Sequence, residues 1–241
     1  MKKINIALDG YAGCGKSTTA RRVARALGYL FLDTGAMYRA FTLNLQRNGV
    51  APSDRLSVEA LLLETTLSFR LTPAGERLTL LNGEVVDAEL RTTAINSQVS
   101  EVAAIKTVRQ AMVAQQQRIA EDKGVVMDGR DIGTVVLPTA ELKVFMTASL
   151  EARVERRSAE LRASGQAVVP TEVRRLLLHR DHIDTTREES PLRRAPDAHL
   201  LDTTAVTIDE QVDQVLAWAH GLLVAPEVES FPEAARYTQS T

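Results

Sequence analysis

The chain has 241 residues, 44% of them hydrophobic and 25% charged, with a formal net charge of −2. That is enough for one or two domains with a full core, and the balance excludes a disordered chain or a polycationic nucleic-acid tail. No stretch approaches the roughly 18 consecutive apolar residues of a membrane span, and the apolar run behind Lys2 and Lys3 is too short for a signal sequence. The single cysteine, Cys14, excludes an internal disulfide or a cysteine metal cluster, so a cytoplasmic protein is expected.

The predicted elements follow in chain order. Ile4 to Leu8 is a short apolar run ending at Asp9-Gly10 and reads as a buried strand. From Ser17 the pattern turns helical, with Ala20, Val23, Ala24 and Leu27 on one face and Gly28 as the stop. Tyr29 to Leu32 is a second strand, and Ala36 to Asn48 a helix closed by Asn48-Gly49. A further helix covers Asp54 to Thr65. Leu67 to Leu71 and Arg77 to Val86 are rich in strand formers, and Asn82-Gly83 interrupts the second run. Asn-Gly accepts the positive φ angles of a type I′ turn, so residues 66 to 90 read as a small antiparallel insertion.

Helices are expected from Thr92 to Val102 and from Thr107 to Asp122, the latter stopped by Gly124. Val125 to Met127 then forms a strand that enters Asp128-Gly129-Arg130-Asp131. Leu142 to Met146 is another strand, Leu150 to Ser164 a helix, and Thr171 to Arg180 a further helix. His199 to Leu201 gives a last strand and Ile208 to Val224 a closing amphipathic helix. Strands alternating with helices imply an α/β fold, a parallel sheet flanked by helices on both faces. Right-handed crossovers then line up the loops after Leu8, Leu32, Met127 and Met146 along one edge. Residues 225–241 lack periodicity and read as a flexible tail.

Gly10-Tyr11-Ala12-Gly13-Cys14-Gly15-Lys16-Ser17 fits G-x-x-x-x-G-K-[ST] and sits between a predicted strand and a predicted helix. Glycines let successive backbone N–H groups converge on phosphate oxygens, and the following helix N-terminus adds positive charge there. Lys16 suits the β and γ phosphates, the Ser17 hydroxyl suits Mg2+, and Thr18 follows on the same turn. This loop (Gly10, Tyr11, Ala12, Gly13, Cys14, Gly15, Lys16, Ser17, Thr18) implies a nucleoside triphosphate and a metal but does not name the acceptor. Cys14 itself reads as a small residue in a tight turn.

Arginines outnumber lysines 23 to 6, a ratio that codon bias explains as well as phosphate binding does, so only their positions carry weight. Three blocks fix those positions: Asp33-Thr34-Gly35-Ala36-Met37-Tyr38-Arg39, Asp128-Gly129-Arg130-Asp131-Ile132-Gly133-Thr134-Val135-Val136, and Arg180-Asp181-x-x-Asp184-x-x-Arg187-x-x-Ser190-Pro191-Leu192. With the phosphate loop they resemble bacterial cytidylate kinases, P-loop nucleoside monophosphate kinases, from Ile4 to about Leu223.

The resemblance implies transfer of the ATP γ-phosphoryl group to CMP or dCMP with Mg2+, in a monomer that needs neither nucleic acid nor membrane. It implies one kinase domain over 1–224, with a monophosphate-binding insertion at about 36–105 and a helical lid at about 150–188. The Leu67 to Val86 hairpin matches the extra small sheet of the bacterial members. By the same likeness Arg39, Arg130 and Arg187 converge on the acceptor phosphate, and Arg180 and Asp184 engage the ribose. Asp131, Ser100 and Arg109 pair with cytosine, while Thr34, Tyr38 and Gly129 line its site.

The likeness also places the Arg153, Arg156 and Arg157 cluster at the lid over the donor phosphates. Arg153 and Arg157 share a helical face, which favours them as the catalytic pair beside Lys16, Arg130 and Arg187. One departure stands out: the family commonly has proline where Tyr11 stands here. Taken singly, these residues have duller readings. Arg39 suits a surface ion pair, Asp33 or Thr34 a helix cap, and the lid glutamates and arginines ordinary helix pairs. A kinase of the same fold acting on UMP, dTMP or AMP is the nearest alternative. A guanine-nucleotide switch lacks its Asn-Lys-x-Asp stretch here, and a nucleic-acid motor lacks a basic balance.

Overall fold

A computed structural model describes residues 2–72, 77–163 and 165–224. In chain order the elements are β1 (Ile6–Gly10), α1 (Lys16–Leu27), β2 (Leu30–Asp33), α2 (Thr34–Arg47), α3 (Arg55–Glu64), β3 (Leu67–Leu71), β4 (Arg77–Leu81), β5 (Glu84–Val85), α4 (Thr93–Ala103) and α5 (Lys106–Ala120). There follow β6 (Val125–Gly129), a single π turn (Ile132–Val136), β7 (Leu142–Thr147), α6 (Leu150–Ala163), α7 (Pro170–Thr186), β8 (His199–Asp202) and α8 (Ile208–Val224).

The main sheet has the order β2-β6-β1-β7-β8, with every pairing parallel. β1 and β6 are buried along their whole length, as parallel strands covered on both faces must be. Their side chains divide between two cores. Ala7, Val125 and Met127 face α2, α4, α5 and the insertion, whereas Ile6, Leu8 and Val126 face α1 and α8. Because all five strands run the same way, their carboxyl ends share one edge, and β1 has β6 on one side and β7 on the other. Ligands bind at such an edge in open α/β sheets.

The insertion is a separate three-stranded antiparallel sheet, β3-β4-β5. Leu81 pairs with Glu84, so Asn82-Gly83 is a two-residue turn, and their φ angles of 50° and 87° are those of type I′. α6 and α7 pack on each other through Val154, Leu161, Val173 and Leu177, with Ala12 of the phosphate loop as the fixed neighbour.

Two features depart from expectation. α7 continues past Arg180 to Thr186, and its final threonines return their hydroxyls to the helix backbone, Thr185 to Asp181 O at 2.7 Å and Thr186 to His182 O at 2.6 Å. The π turn after Asp131 was not anticipated. It is set by Asp9, whose two carboxylate oxygens accept from Ile132 N and Gly133 N at 2.7 Å each. The expected tail at 225–241 lies outside the described residues, among which no helix is long and apolar enough to cross a membrane.

Candidate active site

The phosphate loop begins where β1 touches β7. A side chain at Gly10 would put its Cβ 1.9 Å from Met146 O, so the strands meet there only without one. Gly15 stands at the cap just before α1, with φ of 92°, a left-handed conformation that glycine adopts without penalty. No side chain caps this helix and no acidic residue stands in its first turn, which leaves its N-terminal amides directed at the cleft. Lys16 is buried; its Nζ donates to Tyr11 O at 2.6 Å and to Cys14 Sγ at 3.6 Å, and burial lowers its pKa. Ser17 Oγ donates to Asp128 Oδ2 at 2.5 Å, which joins the start of α1 to the end of β6.

The cleft also carries a group of arginines, all but Arg180 held by a carboxylate or a carbonyl. Asp33 caps α2 by accepting from Ala36 N at 2.9 Å and holds Arg39 at 2.7 Å. Arg39 and Arg91 outweigh the burial of Asp33 and keep its pKa low. Arg130 Nε meets Asp184 at 2.8 Å, and Arg187 donates to Ser190 O at 2.9 and 2.7 Å. Arg187 also stands 3.8 Å from Asp131 and 3.9 Å from Asp184. Burial alone would raise Asp184, but Arg130, Arg180 and Arg187 hold it below the usual carboxylate range. Arg109 donates to Asp131 and, at 3.0 Å, to Ala103 O, with its guanidinium 5.4 Å over the Tyr38 ring. Arg180 Nε has no hydrogen-bond partner among the described residues; burial and the charge of Arg130 push the pKa of this arginine down to about 10.

These groups line one cleft of about 220 Å³. Its wall includes Lys16, Ser17 and Thr18 together with Arg39, Arg109, Arg130, Arg180 and Arg187. Buried polar atoms in it have no partner among the described residues: Tyr38 Oη, Arg39 Nε, Arg109 Nε, Asp128 Oδ1 and Arg180 Nε. Uncompensated groups of that kind are what a polar ligand satisfies.

A family model described as Cytidylate kinase matches residues 6–221. The chain belongs to the cytidylate kinase family. It is 49% identical to a cytidylate kinase of Bacteroides fragilis, with 90% of this chain and 96% of that protein covered. A cytidylate kinase of Cytophaga hutchinsonii is 46% identical, with 94% and 97% covered. Among solved structures, an uncharacterized protein from Eubacterium ventriosum covers 91% of this chain and 99% of its own at a TM-score of 0.50 and 12% identity, a likeness of fold alone. As a member of the cytidylate kinase family the chain is a nucleoside monophosphate kinase.

Against the family expectation, the cleft gathers Ala12, Gly13, Gly15, Lys16, Ser17, Thr18, Thr34, Tyr38, Arg39, Ser100, Arg109, Gly129, Arg130, Asp131, Arg157, Arg180, Asp184 and Arg187. Gly10, Tyr11, Cys14 and Arg153 are not in its wall. Cys14 is packed beneath the loop, with its thiol donating to Tyr11 O at 3.0 Å. The three lid arginines separate. Arg153 is buried and bound to Asp181 at 2.6 Å, Arg156 donates to Thr203, and Arg157, paired with Glu160 at 2.9 Å, reaches the cleft. Sequence reasoning missed Arg91, Asn96 and Glu160 as lining residues. Asn96 stands one helical turn before Ser100, a spacing that puts both on one face of α4 and was the available signal.

The donor set suits a hard cation. Asp128 supplies a buried carboxylate oxygen without a partner, beside the Ser17 hydroxyl. One carboxylate and one hydroxyl, with waters and phosphates completing the shell, is how Mg2+ is commonly held. Burial and the nearby charge of Asp33 push Asp128 up to about 6, a strain that a bound cation relieves. No cluster of three or more His, Cys, Asp or Glu side chains suited to a metal occurs among the described residues.

Proposed function

We propose that the chain transfers the γ-phosphoryl group of ATP to CMP or dCMP, giving ADP and CDP or dCDP, with Mg2+. The observation that carries this is that Arg39, Arg130 and Arg187, far apart in sequence, line the same cleft as Lys16 and the uncapped start of α1. Two polyanions meet end to end only where fixed cations neutralise both, and phosphoryl transfer asks for little beyond positioning and charge stabilisation.

In this reading Lys16 leaves its contact with Tyr11 O to engage the β and γ phosphates, and the loop amides cradle the same oxygens. Ser17 and Asp128 would hold Mg2+, which when bound would offset the charge on the phosphates. Arg39, Arg130 and Arg187 fix the acceptor phosphate, and Arg157 covers the transferring group from the lid. No general base is required, since the acceptor is a phosphate oxygen already ionised at neutral pH. Closure of α6 and α7 keeps out water that would otherwise accept the phosphoryl group.

Cytosine carries an amino donor at N4 beside acceptors at N3 and O2. Asp131 and Ser100 accept from the amino group and Arg109 donates to the acceptors. Uracil puts an acceptor where N4 was and leaves a buried carboxylate facing it, a mismatch that such sites penalise strongly. Arg180, with its unpartnered Nε, and Asp184 engage the ribose.

A coupled ADP-release assay with MgATP against a panel of monophosphates tests the proposal. CMP and dCMP are expected to turn over fastest, with UMP behind them and AMP and dTMP near background. Equal turnover across the panel, or preference for a purine, would defeat it.

A further inference from the structure

α6 is joined to the rest of the molecule in an unusual way, since its buried side chains are the polar Arg153 and Ser158. Arg153 makes the connection. Its Nη1 donates to Asp181 Oδ2 at 2.6 Å and to Ala12 O at 3.4 Å, and its guanidinium lies 5.2 Å from the centre of the Tyr11 ring. The same ring meets Phe145 edge-on, centroids 6.1 Å apart at 85°, and packs on the cluster of Phe145, Leu192, Ala195 and Ala198.

Tyr11 therefore stands where three parts of the molecule meet. Its carbonyl takes the Lys16 ammonium at 2.6 Å, and its ring is wedged between the lid arginine and the wall that follows α7. That wall is tied to the acceptor side, because Leu192 N donates to Asp184 O at 2.7 Å and Arg187 holds Ser190 O. Arg153 Nε and Asp181 Oδ1 are both buried without a partner among the described residues. The pair is joined by one hydrogen bond where a guanidinium and a carboxylate have the geometry for two.

We propose that Tyr11 is a positioning residue whose ring clamps Arg153 against Asp181, so that donor binding at the phosphate loop docks the lid and tightens the acceptor side. The ring does this by offering the buried Arg153 an aromatic face on a half-buried side chain, a cation–π contact. Phe145 and Leu192 carry the displacement from the loop to the segment that bears Arg187. Coupling of this kind is reciprocal: acceptor binding must raise donor affinity by the factor that donor binding raises acceptor affinity. The coupling part rests on the reading of the chain as a CMP kinase; the clamp itself concerns the donor loop and the lid alone.

The test is calorimetric titration of a non-hydrolysable MgATP analogue into wild type, Tyr11→Phe, Tyr11→Ala and Tyr11→Ala/Asp181→Asn, each with and without saturating CMP. Tyr11→Ala should weaken donor binding about fivefold to tenfold and lose the enhancement by CMP, as loss of a partly buried cation–π contact would. The conservative Tyr11→Phe keeps the ring and should restore both to within about twofold of wild type. The double variant should be no weaker than the weaker single, because both changes break one link. Donor affinity in Tyr11→Ala within about twofold of wild type, fully additive losses, or Tyr11→Phe as weak as Tyr11→Ala would each overturn the clamp. If Tyr11→Ala loses its native circular dichroism, Tyr11→Leu and the single Asp181→Asn give the same comparison. A wild type that binds donor but not CMP would defeat the functional reading and still leave the donor titrations to judge the clamp.

Discussion

The guanidinium of Arg109 donates directly to the carboxylate of Asp131, and both side chains are almost wholly buried in the wall of the cleft. A buried pair of this kind is costly to break, because removing one partner strands the other's charge away from water, a loss of about 3–5 kcal/mol. Here the stranded charge is that of Arg109, since Arg187, 3.8 Å from Asp131, keeps Ser190 O and Asp184. Asp131→Ala is therefore expected to lower the melting temperature and to raise the KM for CMP about tenfold or more, with a smaller rise for UMP. Steady-state kinetics on the two nucleotides decides it. An unchanged CMP/UMP ratio would take Asp131 out of base recognition and leave it a purely structural partner of Arg109.

Much of the fold was legible because its signals are short-range. β1 and β6 are apolar at successive positions, the glycine pattern of the phosphate loop spans one turn, and Asn82-Gly83 marks its hairpin without help from the rest of the chain. The π turn was not legible, because it depends on Asp9 reaching two amides 123 and 124 residues away. The lid arginines show the same limit. On the helix Arg153 and Arg157 share a face and look alike, and only the position of Asp181, 28 residues on, sends Arg153 away from the cleft, while Thr203, 47 residues on, holds Arg156. Arg39, Arg130, Arg180 and Arg187 of the cleft were legible through motif blocks, while Arg91 and Glu160 carried no signal beyond their charge.

Lys16 supplies the strongest test of the donor side. It is buried, with its pKa lowered by burial, and it holds Tyr11 O, a contact that phosphate oxygens would replace. Lys16→Ala should cut turnover by about 10³-fold, the scale of losing one transition-state charge contact in a dry site. Far-UV circular dichroism and CMP affinity should stay near wild type. Near-normal turnover would remove the donor assignment.

The short contact between Ser17 and Asp128 predicts a specific dependence on metal. Asp128→Asn keeps the hydrogen bond to Ser17 available but removes the carboxylate charge, and Ser17→Ala removes the hydroxyl. Each should raise the Mg2+ concentration for half-maximal activity about tenfold or more, the usual effect of weakening a metal's immediate surroundings. Raising Mg2+ should recover most of the lost rate in both variants. A Mg2+ requirement identical to wild type would place the metal elsewhere.

Asp184 offers a test that needs no substrate. Arg130, Arg180 and Arg187 outweigh its burial and depress its pKa, so the folded state binds its proton less readily than the unfolded chain does. The stability this contributes is fully present above the unfolded value of about 3.9 and is lost as pH falls through the lower folded value. Asp184→Asn should therefore be less stable than wild type by a margin that is constant from pH 8 down to about 5, shrinks once the unfolded carboxylate takes up its proton near about 3.9, and closes only below the depressed folded value, where both side chains are neutral. Urea unfolding of the two proteins across that range measures the margin. A gap that widens towards acid would mean that the three arginines do not govern this carboxylate, and with it would go the idea that they form a single field around the acceptor.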